Sequence, residues 1–272
     1  MTAGTIFDKT RTPLTVWFEA AWLMTAAKPG ISALTLSRLL PVASYQTTWT
    51  MLHKYRHAMG AGEKTLLSGD VEVDEWMYGG VRHNVAGRGS KKQLVLGAVE
   101  QLEKGLGRVR FGLVDNASGK AIQTFLTATI APGSTILTDG WQSYRKATGG
   151  NYGHVATVER TSDDPAHVLL PGVHRVFSLA DRWILGTHQG AVRREHLQSY
   201  LDEFAFRFNR RKAKHRGLLF MRLLEHAVNT PPKTYRDLVM TETPGSGVSL
   251  GPGGTTVPGT LEGSKRAKPW RK

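Results

Sequence analysis

Apolar positions in the first sixty residues recur at helical spacing. Leu14, Trp17, Phe18 and Ala21 share one face of a helix that Pro29-Gly30 ends. A shorter helix is predicted from about Ser32 to Leu40, with Leu34, Leu36, Leu39 and Leu40 as its apolar set. Pro41-Val42-Ala43 breaks it, and Ser44 is placed to cap a third helix through YQTTWTMLHKYRHAM. Two short helices about a tight turn form a helix-turn-helix pattern. The second carries Gln46, Thr47, Thr48, Lys54 and Arg56, polar and basic groups of the kind that meet base edges and phosphates. The plainer alternative is a three-helix bundle in which Trp49, Leu52 and Tyr55 are core.

After a linker-like stretch from Ala61 to Ser68 the period changes from helical to alternating. Val71 and Val73 alternate with Glu72 and Asp74, and Leu94, Leu96 and Ala98 continue the strand signal beyond the loop GRGSKKQ. A third strand, about Arg108 to Val114, carries Val109, Phe111 and Leu113, reached through the hairpin EKGLG. A helix from Ala117 to about Ile130 follows, stopped by Ala131-Pro132-Gly133. Then come the strand STILTD, the helix WQSYRKA and the strand HVATV. Three strands in hairpin order, then alternating helix and strand, is the element order of a ribonuclease-H-like fold: a mixed α/β sheet with flanking helices, preceded by an all-α region.

From Val173 the pattern is helical again. His196 to Lys212 is strongly amphipathic, with Leu197, Tyr200, Leu201, Phe204 and Phe208 on one face and Arg207, Arg210, Arg211 and Lys212 crowding its end; Arg207, Arg210 and Arg211 are expected to contact DNA. Gly217 to Val228 gives one more apolar helix. After Pro244 the run GSGVSLGPGGTTVPGT has too few apolar residues to order itself, and it leads to Lys265, Arg266, Lys268, Arg271 and Lys272. The chain is thus divided into a helix-turn-helix region over 1–64, a ribonuclease-H-like domain over 65–228 and a C-terminal extension with a basic tail over 229–272.

Charge narrows the partners. Thirty-six Lys and Arg against 22 Asp and Glu leave a net charge of +14. A field of that sign favours nucleic acid or an anionic membrane surface. No apolar run approaches the ~20 residues needed to span a bilayer, and the N-terminus lacks the order of a secretory signal. A cytoplasmic, nucleoid-associated chain with double-stranded DNA as partner, and no membrane, is therefore expected. The absence of cysteine excludes disulfides, thiol nucleophiles and Cys-ligated zinc.

Two aspartates then stand out. Asp74 lies within the first strand, and Asp139 ends a later strand where the chain turns into a helix. Open α/β sheets collect catalytic groups at strand ends. Two carboxylates held together there need a cation between them, and oxygen ligands with room for water and phosphate favour Mg²⁺ or Mn²⁺. A pair of such ions suits phosphodiester chemistry. Glu72 and Glu75 flank Asp74, and alternation is taken to send both to the opposite face. Asp202 and Glu203 read as salt-bridge partners of nearby arginines. The scattered histidines His154, His167, His188 and His196 lack metal-ligand spacing. His188, in a basic loop, reads equally as a phosphate contact or a structural hydrogen bond, and Trp141 and Trp183 read as core.

The segments VEVDEWMYGG (71–80), ILTDGWQSYRKA (136–147) and GTHQGAVRREHLQSYLDEFAFRFNRR (186–211) resemble the ISXO-like group of insertion-sequence DDE transposases, in order from about Gly4 to about Leu224. The resemblance implies that Asp74 and Asp139 are the first two catalytic acids and hold the metal. It implies cleavage and strand transfer at terminal inverted repeats, and a homo-oligomer on DNA. It places the third catalytic position in VHRVFSLADRWILGTHQG, at His174, with Asp181 where the group carries lysine; His174 and Asp181 both stay open. It also implies a Cys-rich zinc ribbon ahead of the helix-turn-helix, which this Cys-free chain does not carry. A degenerate transposase that binds DNA without cutting it is the alternative reading. A nuclease acting on RNA–DNA hybrids is a third, which leaves the helix-turn-helix pattern and the 186–211 block unexplained.

Overall fold

The structure, a computed structural model, describes residues 2–79, 92–156, 169–190 and 192–239. The predicted GRGSKKQ loop up to residue 91, Thr157 and Val158 of the last strand, His167 and the basic tail lie outside them. The elements are α1 (Leu14–Ala26), α2 (Ala33–Leu39), α3 (Tyr45–Ala61), β1 (Asp70–Tyr78), β2 (Gln93–Gln101), β3 (Leu106–Val114), α4 (Gly119–Thr129), β4 (Thr135–Thr138), α5 (Gln142–Thr148), β5 (Gly153–Ala156), α6 (Pro171–His188), α7 (Leu197–Asn209), α8 (Arg216–Val228) and α9 (Tyr235–Val239). A single 3₁₀ turn, Arg194–His196, leads into α7. Serine hydroxyls start three helices by accepting an early backbone N–H: Ser32 from Thr35, Ser44 from Thr47 and Ser118 from Ala121.

The five strands form one sheet in the order β3-β2-β1-β4-β5. β1, β2 and β3 pair antiparallel, whereas β4 joins β1, and β5 joins β4, in parallel. Alternation then divides the side chains between two cores. Val71, Val73, Leu96, Ala98 and Ile136 pack under α4 and α5. Val95, Val99, Val109 and Phe111 face α6 and α7 on the other side. This is a mixed α/β sheet flanked by helices, consistent with the ribonuclease-H-like expectation.

The helical region differs from its expected form in two ways. Of the residues read as apolar face, Phe18, Leu34 and Leu39 are 41%, 52% and 55% exposed. Periodicity finds the helices but not the arc that tertiary packing covers. The core beneath α1 and α3 is also not their own: Trp17, Met24, Leu36, Leu52 and Tyr55 cluster with Phe206 of α7 and Leu223 and Ala227 of α8. The backbone N–H of Ile6 donates to the Ala227 carbonyl at 3.4 Å. A division at residue 64 therefore separates helices that share one core. Among the described residues no helix is long and apolar enough to cross a membrane.

Candidate active site

Parallel pairing of β1 with β4 brings the two aspartates together. Glu72 registers with Leu137, and two residues further along the same register Asp74 stands beside Asp139, just past the end of β4. Asp139 Oδ1 accepts the backbone N–H of Trp141 at 3.0 Å, a turn that leads the chain into α5. Asp74 Oδ1 accepts the N–H of Glu75 at 2.8 Å, which leaves Oδ2 for other partners.

That partner comes from α6. The first turn of a helix has N–H groups without internal acceptors, and Leu170, which caps α6, offers no side-chain bond. Glu72 supplies the acceptor from the sheet: its Oε2 takes the Val173 N–H at 2.7 Å. The next residue is His174, whose Nε2 lies 3.3 Å from Asp74 Oδ2. Two glycines permit this approach. A Cβ on Gly172 would fall 2.3 Å from Gln101 and 2.9 Å from Glu72 Oε2, and one on Gly97, directly across the ladder from Asp74, would fall 2.2 Å from Phe177. Glu72 therefore shares the face of Asp74, contrary to the expectation. Residues two apart on a strand point the same way; the parity of the positions already carried that signal.

Glu75 does point to the opposite face, where Tyr144 of α5 is its buried neighbour. Burial first, then the charges of Asp74 and Asp139, push the Glu75 carboxyl up to about 8. Burial likewise raises Asp74, and Asp139 raises it further, while the Glu75 N–H and His174 pull it down. Burial lifts Glu72 as well, against the N–H bonds from α6. The buried Tyr144 hydroxyl is pushed well above its ordinary range by burial and then by Glu75. This part of the sheet thus gathers carboxyl groups that, among the described residues, pair with no arginine or lysine.

Such a set suits a hard cation. The carboxylates of Asp74 and Asp139 are suitable donors, and the buried His174 Nε2 has no hydrogen-bond partner of good geometry among the described residues. In the arrangement described, no three acidic or histidine side chains close into an ion-sized cluster. Asp181 is elsewhere: it lies on α6 two turns beyond His174, and its charge acts on Tyr78, four residues past Asp74 on β1. The structure brings His174, and not Asp181, to Asp74.

The basic residues expected on DNA divide sharply. Gln46 is exposed and Thr47 half-exposed at the start of α3. Thr48 is buried, with its hydroxyl donating to Tyr45 and Ala33 carbonyls. Lys54 donates to the Ile6 carbonyl at 3.0 Å. Arg56, 1% exposed, pairs with Glu203 at 2.9 Å and lies over the Tyr200 ring. Arg207 pairs with Glu203 from the other side and reaches the Met24 and Ala27 carbonyls. Arg210 pairs with Glu63, and Arg211 covers Phe208 and bonds carbonyls of the β2–β3 hairpin. Thr48 and Lys54 thus bond within the N-terminal helical region, Arg56 and Arg207 tie α3 and α1 to α7, and Arg210 and Arg211 are engaged in intramolecular contacts at the margin of the sheet. Glu203 is the salt-bridge residue expected, whereas Asp202 accepts from Gln198 at 2.8 Å. His188 closes against Trp183 and Tyr200, and burial depresses it to about 4, so it is an uncharged packing group. Trp141 is not core but 53% exposed.

No curated protein matches the chain. The family model for the ISXO2-like transposase domain matches residues 66–209, a span from the start of the sheet domain to the end of α7 that covers a little over half of the sequence. DDE transposases generally use divalent metals, and transposases bind DNA. A mixed α/β domain with Asp74 midway along β1 and Asp139 just past the end of the neighbouring β4 accords with that match, and the chain belongs to the ISXO2-like transposase family.

Proposed function

We propose that the protein cuts and joins DNA at the terminal inverted repeats of an insertion sequence, with Asp74 and Asp139 as metal-holding acids and His174 as the third group. The observation that carries this reading is the parallel pairing of β1, which carries Asp74, with β4, which Asp139 follows, together with His174 Nε2 of α6 lying 3.3 Å from Asp74 Oδ2. Asp74 and Asp139 would hold Mg²⁺ or Mn²⁺, two ions in the usual arrangement, to activate the attacking oxygen and stabilise the leaving one. Glu72 holds the start of α6, and through it the imidazole, against Asp74. His174 Nε2, close to Asp74 Oδ2 but without a well-aligned hydrogen bond, is available to the metal or to a phosphate oxygen. Water attacks first, and the freed 3′-hydroxyl then attacks target DNA, both as in-line displacements. Gln46 and Thr47, at the exposed start of α3 in the helix-turn-helix pattern, remain as DNA contacts. A homo-oligomer assembled on DNA is part of the same reading, because two element ends must be paired.

One observation favours the second reading, a DNA-binding transposase that does not cut: the third position holds an imidazole, and no three acidic or histidine groups close on one point among the described residues. Cleavage of a labelled inverted-repeat duplex with Mg²⁺ or Mn²⁺ decides. Metal-dependent nicking at the element end, lost in Asp74→Asn and Asp139→Asn, supports the first reading. Retained binding without nicking under either metal establishes the second.

A further inference from the structure

Far from the aspartates, a cavity of about 370 Å³ opens where α3, α7 and α9 meet. Tyr45, Trp49, Tyr200 and Tyr235 line it together with His196, and Gln46 and Arg193 add polar groups. Its rings are not stacked shut. Trp49 meets Tyr235 at 6.1 Å and 75°, and His196 at 5.2 Å and 70°, edge against face, so they form corners rather than a closed pile. Tyr45 and Tyr235 are 54% and 43% exposed. Burial lowers His196, and Arg193 lowers it further, so the ring is an uncharged wall near neutral pH. Arg193 is exposed and makes no salt bridge to a described residue.

We propose that this pocket takes one unstacked nucleobase from a DNA strand, with Arg193 on the adjoining phosphate. The proposal rests on the DNA-acting reading above. A base within a duplex shows only its edges, because both faces are stacked. A pocket lined by aromatic rings rather than by groups for base edges has little contact to make with paired DNA. It matches an extruded or single-stranded base, which offers a π-face to stack and a hydrogen-bonding edge for Gln46. The volume accommodates a base with part of its sugar. Charge supplies the rest: a chain of net charge +14 with an exposed arginine at the mouth attracts a polyanion rather than an apolar peptide. Tyr45 and Gln46 begin the same helix whose exposed first turn faces DNA in the proposed function, which places the pocket beside the bound strand.

The test uses the full chain and two fluorescent strands of about twelve nucleotides, one with bases and one abasic throughout. Anisotropy at fixed salt gives the affinities. Tyr45→Ala and Tyr235→Ala, each at a half-exposed position, are expected to weaken the base-bearing strand about tenfold and the abasic strand by less than about twofold. Arg193→Ala should weaken both strands and flatten the salt dependence by about one unit of slope. A strand carrying 2-aminopurine gives a readout on the unsubstituted chain: its fluorescence should be quenched on binding and recover in Trp49→Phe/Tyr235→Ala. Equal losses on both strands, no loss on either, or no quenching would overturn the proposal. The two readings fail separately. A chain that nicks inverted repeats but shows no base dependence loses the pocket alone, and one that shows base dependence but never nicks loses strand transfer alone.

Discussion

Two clusters of charge, one between α3 and α7 and one on β1 and the turn after β4, behave in opposite ways. In one, Arg56, Glu203 and Arg207 form a closed triad between α3 and α7: both Glu203 oxygens are paired at 2.9 Å, and the two guanidiniums hold the carboxyl below its ordinary range against the full cost of burial. In the other, Asp74 and Glu75 of β1 act on one another and on Asp139 with no salt bridge to an arginine or lysine among the described residues, and burial with mutual repulsion raises Asp74 and Glu75. The same physical cost, charge removed from water, is compensated within the chain at the first cluster and left open at the second. Compensated charge holds helices together; uncompensated charge waits for a ligand.

Removing one acid from each cluster should pull activity and stability apart. Asp74→Asn is expected to lower metal-dependent nicking at least about 10³-fold, several kcal/mol of transition-state stabilisation, while thermal denaturation shows equal or higher stability because a repulsion is gone. Loss of stability with retained nicking would reverse the assignment of the two clusters. Glu203→Gln should do the contrary. Two buried guanidiniums lose their common anion, at about 3–5 kcal/mol, which lowers Tm by roughly 10 °C in a calorimetric scan.

A third test uses pH. His188, beside the triad, is held to about 4 chiefly by burial, with Arg56 next. Between 6.5 and about 4 the unfolded chain binds the proton and the folded chain does not. Stability present above pH 6.5 is therefore lost as pH falls toward 4, by up to about 3 kcal/mol. His188→Phe should flatten that slope in denaturant melts recorded from pH 7 to 4, and an unchanged slope would place the titration elsewhere. The smallest effect is expected at Asp181. Asp181→Asn should leave nicking within about twofold, whereas His174→Ala should lower it by about tenfold or more at equal stability. A large loss at Asp181 would return it to the site.

The fold was legible where local periodicity suffices. The alternation through Val71 and Val73, the hairpin at EKGLG and the amphipathic face of α7 each map onto the structure. Asp139 stood out because strand ends are places where chemistry collects, and Asp74 because it is an acid within the alternating first strand. What escaped were properties set by distant partners. Arg56 has the look of a DNA-contacting residue on its own helix, and only Glu203, 147 residues away, turns it inward. Arg207 is drawn inward in the same way, by the Ala27 and Met24 carbonyls of the first helix and its cap. His174 and Asp181 share a helix and a plausible chemistry, and the choice between them depends on how α6 docks, which Glu72 and two glycines decide. Trp141 shows the converse: its hydrophobicity suggested burial, but the turn after Asp139 throws it into solvent.

The shared helical core has a consequence for synthesis. Residues 14–61 leave the ribosome long before Leu223 and Ala227, yet they need those residues to cover their apolar face. Until translation reaches the end of α8, the first helices carry exposed Trp17, Met24 and Leu52, an aggregation-prone surface at a stage when the sheet strands are already emerging. A ribosome-stalled chain ending near residue 212 should therefore recruit chaperones, and one extended past 239 should not. Truncation within the last described helices removes the lid from the beginning of the protein, so damage at one end of the gene disables the folding of the other.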